Sequence, residues 1–202
     1  MSKRPKILAF AGSLREHSYN KRVLKTAIRG AENAGAEVTY IDLRDYAMPI
    51  YDADIQEKEG FPENATKLQK LLLEHDGLLI ACPEYNASLS AALKNAIDWT
   101  SRANGDVKLA AAFKGKVAAM ITASPGAFGG IRCLNHLRGV LSILLVNVLP
   151  KEIAVAKVHE MFDGSSDEIK DEKMRGILEG LGESLTDMLR KTHGEVKVVV
   201  AE

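Results

Sequence analysis

The sequence predicts an α/β fold, a doubly wound five-stranded parallel sheet with helices on both faces. Two observations carry that prediction. Apolar runs of strand length alternate with longer segments whose apolar residues recur at helical spacing, and a parallel sheet needs such crossovers. Several of those runs are continuous rather than alternating, as expected of strands covered on both faces. The length of 202 residues suits a single domain over 1–202 with enough interior to fold without a disulfide or metal framework.

The elements follow in order. Lys6 to Ala11 (KILAFA) is a short apolar run stopped by Gly12, a buried strand. Val23, Leu24, Ala27, Ile28 and Ala31 define a helix from Asn20 to about Ala34, with Gly35 as its stop. Glu37 to Leu43 is the second strand. Residues 44–62, with Pro49, Gly60 and Pro62, read as a long irregular connection, and loops of that length are usually functional or interfacial. Asn64 to His75 is helical on a stripe of Leu68, Leu71 and Leu72, and Gly77 to Cys82 (GLLIAC) is the third strand. Ser90 to Ser101 is a helix, Lys116 to Thr122 the fourth strand, and Gly130 to Leu145 a further helix. Val148 to Val155 holds the fifth strand, its start confused by Pro150. The last helix, Ile169 to Lys191, follows a capping-box pattern at Ser165 to Glu168. The tail 195–202, rich in valine, has strand chemistry and is an extra edge strand or a loose end.

Composition excludes several functions. The 27 basic and 27 acidic residues balance, which speaks against a general nucleic-acid binder. The best apolar run, Val140 to Leu149, is too short for a membrane span, and the N-terminus lacks a signal-peptide pattern. The expected setting is cytoplasmic. Two cysteines and five histidines without ligand spacing form no metal site. Cys82 could begin a phosphatase-type loop, but Ser88 stands where that loop needs arginine; a small buried residue closing a strand is the better reading.

In doubly wound sheets, ligands collect at the carboxyl ends of the strands, so the loops there carry the chemistry. The loop Gly12 to Asn20 (GSLREHSYN) joins the first strand to the first helix. Its Ser13, Ser18 and Asn20, with the helix's free N–H groups, make a phosphate cradle. Arg15, Lys21 and Arg22 add a local positive cluster that a phosphate would relieve. Neither a Walker A loop nor a Gly-x-Gly-x-x-Gly turn is present, and no Gly-x-Ser-x-Gly elbow makes Ser13 a nucleophile. Pro83 to Asn86 (PEYN) follows the third strand. Ser124 to Gly130 (SPGAFGG) follows the fourth, and its backbone can approach a planar ring.

These three segments, the second extended as PEYNASLSAALKNAIDW, resemble the NADPH-dependent FMN reductase family of flavodoxin-like proteins, which includes quinone, azo-dye and chromate reductases. The match runs from about Lys6 to Asp163. One departure is Ser90, where the family commonly has proline; the valine-rich tail is another. The resemblance implies that Ser13, Arg15, Ser18, Tyr19 and Asn20 hold the FMN phosphate. It implies that Pro83, Glu84, Tyr85 and Asn86 line one edge of the isoalloxazine, while Ser124, Gly126 and Gly129 approach its pyrimidine side. It further implies hydride transfer from NADPH or NADH to flavin N5, then ping-pong delivery of electrons to a small acceptor: a quinone, azo, nitro, metal-oxyanion or free-flavin compound. No protein side chain need act as nucleophile or general acid.

A non-enzymatic electron carrier and a flavin-binding sensor are the alternative readings. Such carriers share a strongly acidic surface and a phosphate loop without arginine, whereas this chain is balanced and has Arg15. A homodimer or homotetramer is expected, because Cys133, Val140 and Ile143 widen the apolar stripe of the Gly130 helix beyond one face. In the family, the 44–62 loop and the helix from Ser90 often join such interfaces, and Tyr85 is implied at a subunit boundary.

Overall fold

The computed structural model describes residues 4–164 and 166–193. Strands β1 (Lys6–Ala11), β2 (Glu37–Asp42), β3 (Gly77–Ala81) and β6 (Val117–Ala123) form the centre of the sheet, in the order β2-β1-β3-β6 with all pairs parallel. The crossovers are α1 (Tyr19–Asn33), α3 (Glu63–Glu74), α4 (Ala91–Thr100) and α5 (Ile131–Ile143); α6 (Glu172–His193) closes the described chain.

Alternation along each strand sorts the core into two layers. Ile7, Ala9, Ala11, Leu79, Ala81, Ala119 and Ile121 face α1 and α6. Leu8, Phe10, Leu78, Ile80, Ala118 and Met120 face α3, α4 and α5. The small residues matter where helices cross: a Cβ built on Gly182 of α6 would lie 2.0 Å from the Ala27 carbonyl oxygen, and one on Gly30 of α1 would lie 1.9 Å from that of Glu179. The two helices thus touch backbone to backbone.

Four details differ from the sequence reading. The fifth strand is two short ones, β7 (Asn147–Val148) and β8 (Ile153–Val155), both paired with β6. Pro150 lies between them and, lacking an N–H, cannot continue a ladder. Residues 44–62 are not wholly irregular, because a 3-10 turn (Leu43–Tyr46) and α2 (Ala53–Glu59) lie there, the latter capped by the Asp52 carboxylate on Asp54 N at 2.8 Å. PEYN is half of a hairpin, β4 (Glu84–Tyr85) against β5 (Ser88–Leu89). Its two turn residues, Asn86 and Ala87, both have positive φ, the two-residue turn that suits strand twist. Finally, α6 starts later than the Ser165 pattern suggests, with Asp171 accepting from Met174 N at 2.7 Å. Ser165 and the tail 195–202 lie outside the described residues.

Strand register brings three loops to one edge of the sheet. Ala11 sits beside Ala81, and Ala81 beside Ile121, so β1, β3 and β6 finish close together. The loops at Gly12, Pro83 and Ser124 therefore leave the sheet at one edge. No helix among the described residues is long and apolar enough to cross a membrane.

Candidate functional site

Where these loops converge lies a cleft of about 100 Å³, lined by Ser13, Arg15, Ser18, Tyr19, Asn20, Pro83, Glu84, Tyr85 and Ser124, with Ala123 and Pro125. Nine of the twelve expected positions meet there although they come from three separate segments. Asn86, Gly126 and Gly129 do not line it.

The first loop is built to present donors. Ser18 is buried at the N-cap of α1 yet its hydroxyl caps no helix N–H, and the first turn carries no acidic side chain. The first intrahelical bond from this end runs from Arg22 N to Ser18 O, so the Tyr19, Asn20 and Lys21 N–H groups precede the helical ladder. Ser13, also buried, accepts from Arg15 N at 3.3 Å, which shapes the turn between them. Polar hydroxyls, a helix N-terminus and the exposed Arg15 guanidinium make a donor set matched to a phosphate. The residues present fit an FMN phosphate.

Asn20 is also tied to the sheet. Its side-chain Nδ2 donates to Ala123 O and its Oδ1 accepts from Ala123 N, both at 3.0 Å, tying the start of α1 to the end of β6 like a piece of strand backbone. The sequence suggests no such bond, since its partner lies 103 positions away.

Arg15, Lys21 and Arg22 line one recess, but two of them carry acidic partners within the chain. Arg15 lines the cleft, but Lys21 is buried and pairs with Asp42 at 2.5 Å, where Arg44 also reaches the carboxylate at 3.1 Å. Arg22 lies over the Phe162 ring at 3.9 Å and faces Asp167 at 3.6 Å, an acid shared with Lys25 at 2.5 Å. These pairs line a larger recess that shares Arg15, Ser18 and Tyr19 with the cleft, and the buried Arg22 Nε there makes no hydrogen bond. Burial pushes the Asp42 carboxyl up, but the hydrogen bonds from Lys21 and Arg44, with the Lys21 charge, bring it below the usual range.

The second loop is braced from behind. Glu84 pairs with Arg132 at 2.7 Å and accepts from Cys133 N at 3.2 Å, so its carboxylate caps α5 while its backbone forms the hairpin. Tyr85 leaves 52% of its surface exposed. Beneath lies Cys82, fully buried; contact with the Cys133 thiol, added to burial, pushes its pKa up, so it stays a protonated thiol. That agrees with reading it as a strand-closing core residue.

In the third loop, Ser124 Oγ accepts from Gly126 N at 3.1 Å. Gly129, at φ +62°, packs against β8: an added Cβ would meet Ala156 N at 2.8 Å. Its need for glycine is already explained by the chain itself.

Comparison with known proteins points the same way. The family model described as NADPH-dependent FMN reductase matches residues 5–160. The quinone reductase of Escherichia coli K12 is 38% identical over 188 residues, covering 92% of this chain and 94% of its own. The NAD(P)H-dependent FMN reductase of Pseudomonas aeruginosa is 35% identical over 195 residues, covering 96% and 100%. Among solved structures, the flavoenzyme NAD(P)H:(acceptor) oxidoreductase of Paracoccus denitrificans superposes with a TM-score of 0.75 at 27% identity, covering 93% of this chain and 98% of that one.

Proposed function

The chain belongs to the NADPH-dependent FMN reductase family, and from that premise we propose that it reduces a small quinone-type acceptor at the cleft between its first, second and third loops. It is a flavodoxin-like oxidoreductase using FMN and NAD(P)H. The observation that carries the proposal is the convergence of nine expected residues on one cleft.

Ser13, Arg15 and Ser18, with the N–H groups of Tyr19 and Asn20, would hold the FMN phosphate. Pro83, Glu84, Tyr85 and Asn86 would flank one edge of the ring, and the Ser124, Gly126 and Gly129 backbone its pyrimidine side. FMN, when bound, supplies the hydride-accepting centre and passes electrons onward. The chain's own contribution is positional. Tyr85, half exposed on the braced hairpin, offers a planar surface against which a quinone, azo or nitro compound can stack. Metal oxyanions and free flavin are further acceptors in this reading. One open cleft serves donor and acceptor in turn, which gives ping-pong kinetics. Parallel reciprocal plots with NADPH or NADH and a quinone support this; intersecting lines refute it.

The proposed assembly is a homodimer or homotetramer. Its support is the exposure of Ile131 and Ile143 on α5 and of Leu145 just after it. A monomeric mass by light scattering at working concentration overturns it. Two free cysteines suit the proposed cytoplasmic setting. The decisive first measurement is the absorption spectrum of the purified protein, with FMN told from FAD after release. A colourless protein that takes up no added FMN overturns the assignment, and NADPH turnover with a quinone in the absence of a partner protein tests the reductase activity directly.

A further inference from the structure

We propose that Ser90 is a positioning residue for the phosphate loop, holding the Gly12 carbonyl so that the turn from Ser13 to Ser18 keeps the shape a flavin phosphate requires. The inference rests on the FMN reading above and deepens it.

Ser90 is 2% exposed and stands at the N-cap of α4. Its hydroxyl donates to Gly12 O at 2.5 Å and accepts from Leu93 N at 3.2 Å. The hydroxyl proton is used in the first bond, and an oxygen lone pair in the second. Ser90 therefore acts through Gly12 rather than on a ligand itself. The other side of the same residue is held by β3, because Gly12 N donates to Ala81 O at 2.8 Å. Gly12 is thus clamped at both its N–H and its carbonyl, immediately before the turn that carries Ser13, Arg15 and Ser18.

The approach is close as well as bonded. A Cβ on Gly12 would meet Leu93 Cβ at 2.8 Å and Ser90 Oγ at 3.1 Å, so α4 and the loop are in direct contact. Ser90 also follows directly on β5, the second strand of the hairpin whose first strand holds Glu84 and Tyr85. One hydroxyl thereby links the phosphate end of the cleft to its ring end.

Ser90 has φ −66° and ψ 147°, and that φ is the one a proline ring would lock. Serine leaves that angle free, and its hydrogen bond to the loop supplies the restraint instead. Removing the hydroxyl leaves a buried carbonyl without its partner and the turn without its anchor.

The test compares FMN with riboflavin, which shares the ring but lacks the phosphate. Both affinities are measured by flavin fluorescence titration on the full chain freed of flavin, for the parent, Ser90→Ala, Ser90→Thr and Ser90→Val. Thermal melts of each flavin-free protein accompany the titrations. The expected result is a loss of about tenfold in the FMN-over-riboflavin preference for Ser90→Ala, with Ser90→Thr within about threefold of the parent. Thr and Val are close in shape and differ in the hydroxyl, so their ratio decides the matter if the alanine variant does not fold. A merely structural role would weaken both flavins together and leave the preference unchanged; that outcome, in Ala against parent or Val against Thr, overturns the proposal. A parent protein that binds neither flavin overturns the FMN reading itself, and one that binds both equally overturns the phosphate assignment of the first loop.

Discussion

Gly182 offers the sharpest test of how the helical layer behind the site is built. Replacing it with alanine places a methyl group 2.0 Å from the Ala27 carbonyl oxygen and 2.7 Å from Ala31 N. Ordinary contact begins near 3.4 Å, so α6 must retreat from α1 by roughly the difference, about 1.4 Å. The obstacle is backbone in a regular helix, and no rotamer change relieves it. Retreat loosens Leu178, Leu181, Leu185 and Leu189 from Val23, Leu24, Ala27 and Ala31, all buried in the same layer. A gap of even 0.5–1 Å forfeits about a quarter to a half of the dispersion attraction across it. Overpacking typically costs about 1–3 kcal/mol, and backbone contact puts Gly182→Ala near the upper end, at about 3 kcal/mol. For a chain of this size that corresponds to a fall in Tm of roughly 6–12 °C. The assay is thermal unfolding by circular dichroism, with Gly180→Ala as control. A Cβ there meets nothing within 4 Å, so better helix propensity should hold or raise the melting temperature, by about 0.5–1 kcal/mol of stability. Gly182→Ala melting level with Gly180→Ala would refute the reasoning.

Other outcomes follow from particular contacts. Asn20→Ala strands the buried Ala123 N–H and carbonyl and should cost about 2–5 kcal/mol, read as a lower denaturant midpoint at unchanged slope; an unmoved midpoint counts against the tie. Arg15→Ala should weaken FMN binding by about tenfold or more while moving Tm little, because the side chain is exposed; equal affinity in a titration dismisses its role. Glu84→Ala removes both the Arg132 pair and the Cys133 cap, so faster amide exchange is expected at Tyr85 and Ser88; unchanged protection there rules out the brace. The Asp42 carboxyl lies below its ordinary value of 3.8 in the folded chain, so its contribution is present above that pH and lost as pH falls through the lowered folded value. Asp42→Asn should flatten stability against pH in that acidic window, and an identical acid limb would remove the assignment.

Much of the fold was legible because its signals are local. The apolar runs at Lys6–Ala11 and Gly77–Ala81 report double-sided burial residue by residue, and Gly35, at φ +89°, follows the end of α1 as its lack of a Cβ allows. The hairpin at Glu84–Leu89 leaves no mark in the sequence, because two-residue strands are too short to show a period and its turn, Asn86-Ala87, lacks the usual glycine. The splitting of β7 from β8 was marked by Pro150 but could not be resolved without knowing that both pair with β6.

The layered α/β architecture and the three loops that leave the sheet at one edge can be read from the residues alone. Periodicity and loop chemistry act over a few residues, so they survive without coordinates. The partner of each polar side chain there depends on how the layers pack. Arg15, Lys21 and Arg22 read as one positive cluster and do share a recess, but the register of β1 on β2 brings Asp42 to Lys21, and the segment before α6 brings Asp167 to Arg22 and Lys25. Asn20 reads only as a phosphate-loop residue and Ser90 only as a helix start until packing places Ala123 and Gly12 within their reach. A charge or hydroxyl is satisfied by whichever partner the fold delivers, and that partner comes from distant parts of the chain.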